Sequence, residues 1–176
     1  MDQAIDMFVN DQIKQTYMLP DFPSREDAVP LFERLMNMSQ GQEKFVRAID
    51  LEGGLIGFMN QVEVENGTIE LGYVIHSSHW GKGYATAALK LAIEDLFRKG
   101  FREVICGAFE ENPASLRVME KAGMTRLEKT DEIEYRGITH TCVYYSRKRS
   151  EMVFQCCFCG KATRPRNSYA LTITRA

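Results

Sequence analysis

The stretch of this chain best suited to ligand chemistry is Trp80-Gly81-Lys82-Gly83-Tyr84-Ala85-Thr86. It ends an extended, alternating segment and opens a run with helical spacing. A loop in that position leaves backbone N–H groups without partners at the positive end of the helix dipole, which suits a phosphate or pyrophosphate. Glycines let the main chain come close to such a ligand, although Gly81 and Gly83 in a plain tight turn would look the same. Lys82 either adds charge to that site or is a solvated loop lysine. A Walker loop needs Gly-x-x-x-x-Gly-Lys-Ser/Thr, which is absent. A dinucleotide fingerprint needs Gly or Ala at the sixth position from Gly81, where this chain has Thr86. Both nucleotide readings fail.

Two other groups carry chemistry. Glu70 lies on the face of its strand opposite Ile69, Leu71 and Tyr73, and is either a positioned carboxylate or a solvent-exposed one. Cys156-x-x-Cys159 has the shape of half a zinc knuckle, but a structural zinc wants four ligands and no second Cys-x-x-Cys exists. Two chains, or His140 and Cys142, would have to complete it; reduced cysteines in a loose tail are the other reading. No metal is therefore expected.

The elements that must position these residues follow from periodicity. Met1 to Gln42 is predicted as interrupted helix. For its last helix, Asp27 is preferred over Ser24 as N-cap, because Ser24 would put Pro30 inside the helix at a cost of about 3 kcal/mol; Val29, Phe32, Leu35 and Met36 are then expected inward. Phe45 to Asp50, Leu55 to Glu65 and Thr68 to Ile75 read as a β-meander, with Val62 and Val64 on the apolar face. Asn66-Gly67 is a type I′ hairpin signal. Tyr84 to Arg98 has a helical stripe of Ala85, Ala88, Leu89, Ala92, Leu96 and Phe97, closed by Gly100. A strand over Val104 to Phe109, a helix over Asn112 to Ala122 and strands over Thr125 to Lys129 and Ile138 to Tyr145 complete a mixed α/β sheet.

The chain has 176 residues, 44% hydrophobic and 26% charged, with a formal net charge of -2. That is a globular mix, and it supplies no field for nucleic acid or an anionic membrane. No apolar run approaches the ~18 residues of a membrane span, and MDQAIDMF has no signal-peptide pattern. Five cysteines, three of them at 156, 157 and 159, suggest a reducing cytosol. One domain is expected over residues 1–149, with a Cys-containing extension over 150–176. Ala170 to Arg175 alternates like a strand and is expected to pair with a sheet edge.

From about Phe45 to Ser146 the sequence resembles the GNAT N-acetyltransferases, in particular the branch acetylating ribosomal-protein N-termini and its small-molecule relatives. Residues 68–86, TIELGYVIHSSHWGKGYAT, are similar to that family's acyl-CoA-binding strand, loop and helix, with Trp80 in place of the leading Gln or Arg. Gly107 to Met124, GAFEENPASLRVMEKAGM, resembles Asn-x-x-Ser-x-x-Val-x-Glu-Lys-x-Gly-Phe, with Met124 for Phe. Ile133-Glu-Tyr-Arg-Gly to Val143-Tyr-Tyr resembles the closing strands. The resemblance implies an α/β (α+β) fold with a mostly antiparallel sheet splayed around an acyl-CoA cleft, and the family's first strand is expected to be missing before the region matching Val9 to Lys14.

It also implies acetyl-CoA as co-substrate. The pyrophosphate would sit on the amides of Gly81, Lys82, Gly83, Tyr84, Ala85 and Thr86, and the pantetheine arm along Tyr73, Val74 and Ile75. Asn112 would bond that arm, with a turn-forming Asn-Pro as the competing explanation. A neutral amine attacks directly, with Glu70 as base and Glu134 as second candidate. The family's usual tyrosine donor falls on Met119, so Ser115 is the candidate proton donor to the leaving sulfur. Tyr73 and Tyr145 are expected to be sheet packing. The acceptor, a protein N-terminus or a small-molecule amine, is left open, its pocket being expected from Tyr17 to Arg34 and the closing strands. A homodimer is compatible, and a non-catalytic acyl-CoA-binding or assembly module is the rival.

Overall fold

The computed structural model describes residues 1–41, 44–149 and 170–173. Its centre is a seven-stranded sheet in the order β5-β6-β4-β3-β2-β1-β7, formed by β1 (Val46–Leu51), β2 (Gly54–Glu65), β3 (Thr68–Ile75), β4 (Glu103–Phe109), β5 (Thr125–Tyr135), β6 (Ile138–Lys148) and β7 (Ala170–Ile173). All neighbours are antiparallel except β3 with β4 and β1 with β7. Three tight hairpins set the register. Each has two central residues at positive φ: Glu52-Gly53, Asn66-Gly67 and Arg136-Gly137.

The alternation of the strands feeds two cores, one on each face. On one face Ile69, Leu71, Val104, Cys106, Val143 and Tyr145 pack against α4 (Tyr84–Arg98) and α5 (Pro113–Lys121), whose stripes bury Leu89, Ile93, Leu96 and Met119 completely. On the other, Phe58 and Val74 meet α1 (Asp2–Phe8), α2 (Asp11–Lys14) and α3 (Val29–Gln40). The edge of this second layer holds an apolar cavity of about 570 Å³ between α1, α3, β1 and β2.

The middle of the chain folds as expected, with β3 and α4 at their predicted bounds. Four expectations need correction. Ser24 and Asp27 do form the reciprocal capping box, Asp27 N–H donating to Ser24 Oγ and Ser24 N–H to Asp27 Oδ2. The box opens a 3-10 turn, Glu26–Ala28, and α3 begins only at Val29 with Pro30 in its first turn, so the proline penalty never arises. Met36 is 41% exposed, facing the open cavity rather than a core. Val62, at the register shift between Gln61 and Glu63, is 58% exposed, and Val64, although opposite Ile69, is 45% exposed near the hairpin tip. β5 runs on to Tyr135, past the expected end at Lys129.

The C-terminal strand pairs with a sheet edge, as its alternation suggests: Ala48 to Leu51 of β1 lie beside Ala170 to Ile173, and Leu171 packs against the α4 core. Cys156 and Cys159 lie outside the described residues. Among the described residues no group of three or more His, Cys, Asp or Glu is placed to hold a metal, and no helix is long and apolar enough to cross a membrane.

Gly57 of β2 tests the packing behind β3. A Cβ there would lie 2.3 Å from the Val74 carbonyl oxygen and 2.9 Å from Ile75 Cδ1. Gly57→Ala therefore forces β2 and β3 apart and is expected to lower stability by about 1–3 kcal/mol in denaturant unfolding; a variant as stable as the parent would contradict the register.

Candidate active site

The site begins where a ladder stops. β3 and β4 pair over three residues only, Thr68 with Glu103, Ile69 with Val104 and Glu70 with Ile105, and then part. The gap opens into a cleft of about 450 Å³ whose walls include Gly72 to Ile75 of β3, Gly107 and Ala108 of β4, and Ser115 of α5. Strand backbones alternate sides. The His76 N–H turns to β2, donating to the Ile56 carbonyl. Leu71, Tyr73 and Ile75 therefore direct their backbone groups toward the cleft. Two of these are taken: the Leu71 N–H belongs to the last rung of the ladder, Glu70 with Ile105, and the Ile75 carbonyl accepts from Trp80 Nε1 at 2.7 Å. The Tyr73 N–H and C=O are left to pair with a ligand's own amides, as a missing strand would.

The far end of the cleft is the glycine loop. After a 3-10 turn over Ser77–His79, Gly81 and Gly83 adopt φ of +73° and +81°. Gly83 caps α4 without a side-chain hydrogen bond, and the first intrahelical bond is Ala87 N–H to the Gly83 carbonyl. The amides of Tyr84, Ala85 and Thr86 thus point into the cleft unserved by the helix. Gly81, Gly83, Tyr84, Ala85 and Thr86 all line it. Lys82 does not: it is exposed, and its Nζ bonds the Ser78 carbonyl at 2.9 Å. These free amides on a helix dipole, next to an open strand edge, fit a pyrophosphate with an amide-bearing arm.

Side chains divide between the two faces. On the α5 face, Ser115 Oγ lies 2.7 Å from the Tyr73 hydroxyl. Asn112 lines the cleft, but its Oδ1 accepts the Ser115 N–H at 3.1 Å, so it caps α5. Met119 is fully buried in the core. Tyr145 donates to Glu120 away from the cleft. On the opposite face, Glu70 is half-buried at the last paired rung, just below Gly72. Burial raises its carboxyl above the ordinary 4.5, against the pull of Lys129, with Glu63 and Asp131 adding to the rise. Glu134 is exposed. Its neighbour Tyr135 turns inward to bond the backbone of Leu19, which by alternation turns Glu134 away from the cleft.

Sequence reasoning missed the role of two strand-interior glycines. A Cβ on Gly72 would approach the Tyr17 hydroxyl to 3.1 Å, and one on Gly107 would approach the Tyr144 ring to 2.9 Å. Their bareness lets Tyr17 and Tyr144 pack directly over the two strands at the cleft. Glycine inside a strand is itself the signal that something else comes close. Tyr17, at the edge of the expected acceptor region, hydrogen-bonds Asn60 Oδ1 at 2.6 Å, and its burial raises its phenol above the ordinary value.

Comparison with known proteins agrees with this geometry. Among solved structures, the microcin C7 self-immunity acetyltransferase MccE, in complex with acetyl-CoA and AMP, superposes with a TM-score of 0.73 at 18% identity, covering 84% of this chain and 86% of that one. Spermidine N-acetyltransferase from Vibrio cholerae, in complex with CoA and spermine, gives 0.69 at 17%, covering 84% and 88%. By sequence, the uncharacterized N-acetyltransferase YnaD of Bacillus subtilis is 29% identical over 126 residues, 70% of this chain and 73% of its own length.

The loop makes a direct prediction. Gly83→Ala places a side chain at φ +81°, a strain of about 1–2 kcal/mol, and is expected to weaken acetyl-CoA binding about tenfold in calorimetry. Gly53→Ala, equally strained at φ +88° in a distant hairpin, should leave binding unchanged. Equal loss in both variants would remove the loop from the site. The family model of the acetyltransferase (GNAT) domain matches residues 2–125, more than two thirds of the chain, and the chain belongs to that family.

Proposed function

We propose that a neutral primary amine attacks acetyl-CoA directly in the cleft, with Glu70 drawing the amine proton through water and Ser115 serving the departing sulfur. Membership of the family makes acetyl-CoA the co-substrate and acetyl transfer to an amine the reaction. The observation that carries the assignment is the meeting of the open β3 edge with the uncapped start of α4 in one cleft. The Tyr73 backbone would pair with the pantetheine arm, and the amides from Gly81 to Thr86 would hold the pyrophosphate. A β3 amide pointing into the cleft is suited to the oxygen that gains charge when nitrogen adds to the carbonyl.

The amine must lose its charge before it can attack, which is harder for a lysine near 10.4 than for an α-amine near 8. Glu70 fits this task because burial has raised its affinity for a proton at the last paired rung, two residues along β3 from Gly72 in the cleft wall, a distance a water can bridge. The structural neighbours carry names as different as spermidine acetyltransferase and ribosomal-protein-S5-alanine acetyltransferase, so the acceptor here is assigned only as a primary amine. The family match favours an enzyme over a binding module. The cysteine usage supports a reducing cytosol as its place of work.

Thiol release from acetyl-CoA, measured over a panel of polyamines, aminoglycosides and peptide N-termini, tests the assignment. Glu70→Gln is expected to lower kcat about 10²-fold on any acceptor that turns over. The sign of its pH dependence is set by the raised pKa: a base must be deprotonated, so parent activity falls as pH drops through a value above 4.5, and that limb vanishes in the variant. Binding without turnover on every acceptor, or an unchanged Glu70→Gln variant, would contradict it.

A further inference from the structure

Tyr73 enters the cleft twice. Its backbone forms the open edge of β3, and its side chain crosses to α5, where the phenol oxygen lies 2.7 Å from Ser115 Oγ and 3.2 Å from the Ser115 carbonyl oxygen. The phenol has one proton and two acceptors in reach. The carbonyl, inside a helix, also serves the amide four residues on. A serine in the first turn of a helix ordinarily spends its hydroxyl on a nearby backbone carbonyl, which would turn it from any ligand. Here Oγ has the Tyr73 hydroxyl as its side-chain partner instead, at 2.7 Å.

We propose that Tyr73 is the positioning residue for Ser115, holding Oγ so that the serine's own proton is presented to the sulfur as it leaves. This rests on the acetyl-transfer assignment above. The C–S bond breaks with its electron pair remaining on sulfur. The Tyr73 proton turns to Ser115 Oγ, and the Ser115 proton turns to the thiolate. Both protons stay on their own oxygens, and the proton released by the amine goes to Glu70. The pair thus stabilises the thiolate by a two-link chain of hydrogen bonds and does not neutralise it. The burial that surrounds Tyr73 suits this, since it raises the phenol above its ordinary 10.0 and keeps the donor protonated.

The readout is the ionisation of the thiol of CoA bound to the full-length protein, followed by the ultraviolet absorbance of the thiolate as pH is raised. In the parent the midpoint should lie below the ~8.5 of an ordinary thiol. Tyr73→Phe keeps the ring and its packing but loses the hydroxyl. It and Ser115→Ala should each return the midpoint toward the free value, and the double variant should go no further than either single one. In turnover, Tyr73→Phe should lower kcat about two- to tenfold with the KM for acetyl-CoA nearly unchanged. An unmoved midpoint in Tyr73→Phe, or additive effects in the double variant, would overturn the proposal. Should Tyr73→Phe unfold on melting, Ser115→Ala alone carries the titration, and an unmoved midpoint there is equally fatal. Failure of the parent to bind CoA or to release thiol with any amine would instead overturn the acetyl-transfer assignment, and this inference with it.

Discussion

Backbone groups on a strand edge must find partners, and the parting of β3 from β4 after Glu70 leaves several without one. The rest of the site can be understood as what makes that edge tolerable and useful. The rung of Glu70 with Ile105 takes the Leu71 amide, so the ladder closes where the strands separate. Trp80 takes the Ile75 carbonyl, so the edge ends firmly where the loop begins. What remains between them is the Tyr73 peptide, presented at a fixed depth to whatever extended chain enters. An arm carrying its own amides completes the sheet.

Both sides of the gap are held by packing rather than by pairing. Behind β3, the hairpin with β2 and the close approach of Gly57 fix its position; behind β4, β6 pairs along its whole length from Glu103 to Phe109. α4 and α5 bury their apolar stripes on one face of the sheet and so aim two helix starts at the gap, one uncapped for phosphate and one carrying Ser115. The opposite face carries Glu70, Gly72 and Gly107 under Tyr17 and Tyr144. A carbonyl held in the gap would have its leaving group served from one face and its nucleophile from the other, which keeps the proton acceptor away from the forming thiolate.

Much of this was legible in the chain. Asn66-Gly67, the change from period 2 to period 3.6 at Tyr84, and Gly100 as a terminator define β3, the loop and α4 without tertiary information, because hairpin geometry and helix amphipathicity are local. The N-terminal third was harder. Asp27 is not the N-cap of α3, which starts after Ala28 without a side-chain cap; a 3-10 turn intervenes, and such a turn has no periodicity to read. Val62 misled because it falls on a bulge, and Val64 because sharing a face with Ile69 does not bury a residue near the hairpin tip. Within the site, the resemblance pointed to Glu70 and Ser115, but the roles of Gly72, Gly107, the Trp80 indole and the Tyr73 hydroxyl depend on contacts between elements far apart in sequence. Glu134 was put forward by resemblance alone, and strand alternation turns it outward.

The central claim is that the open β3 edge and the start of α4 together hold acetyl-CoA. Amide hydrogen exchange resolved by residue, with and without acetyl-CoA, tests it most directly. The account predicts slowed exchange at Tyr73 and at the amides from Gly81 to Thr86, with little change in the hairpin at Asn66-Gly67 or around the apolar cavity beneath α3. Protection confined to that second cavity, or none at Tyr73 and the loop under saturating acetyl-CoA, would contradict it.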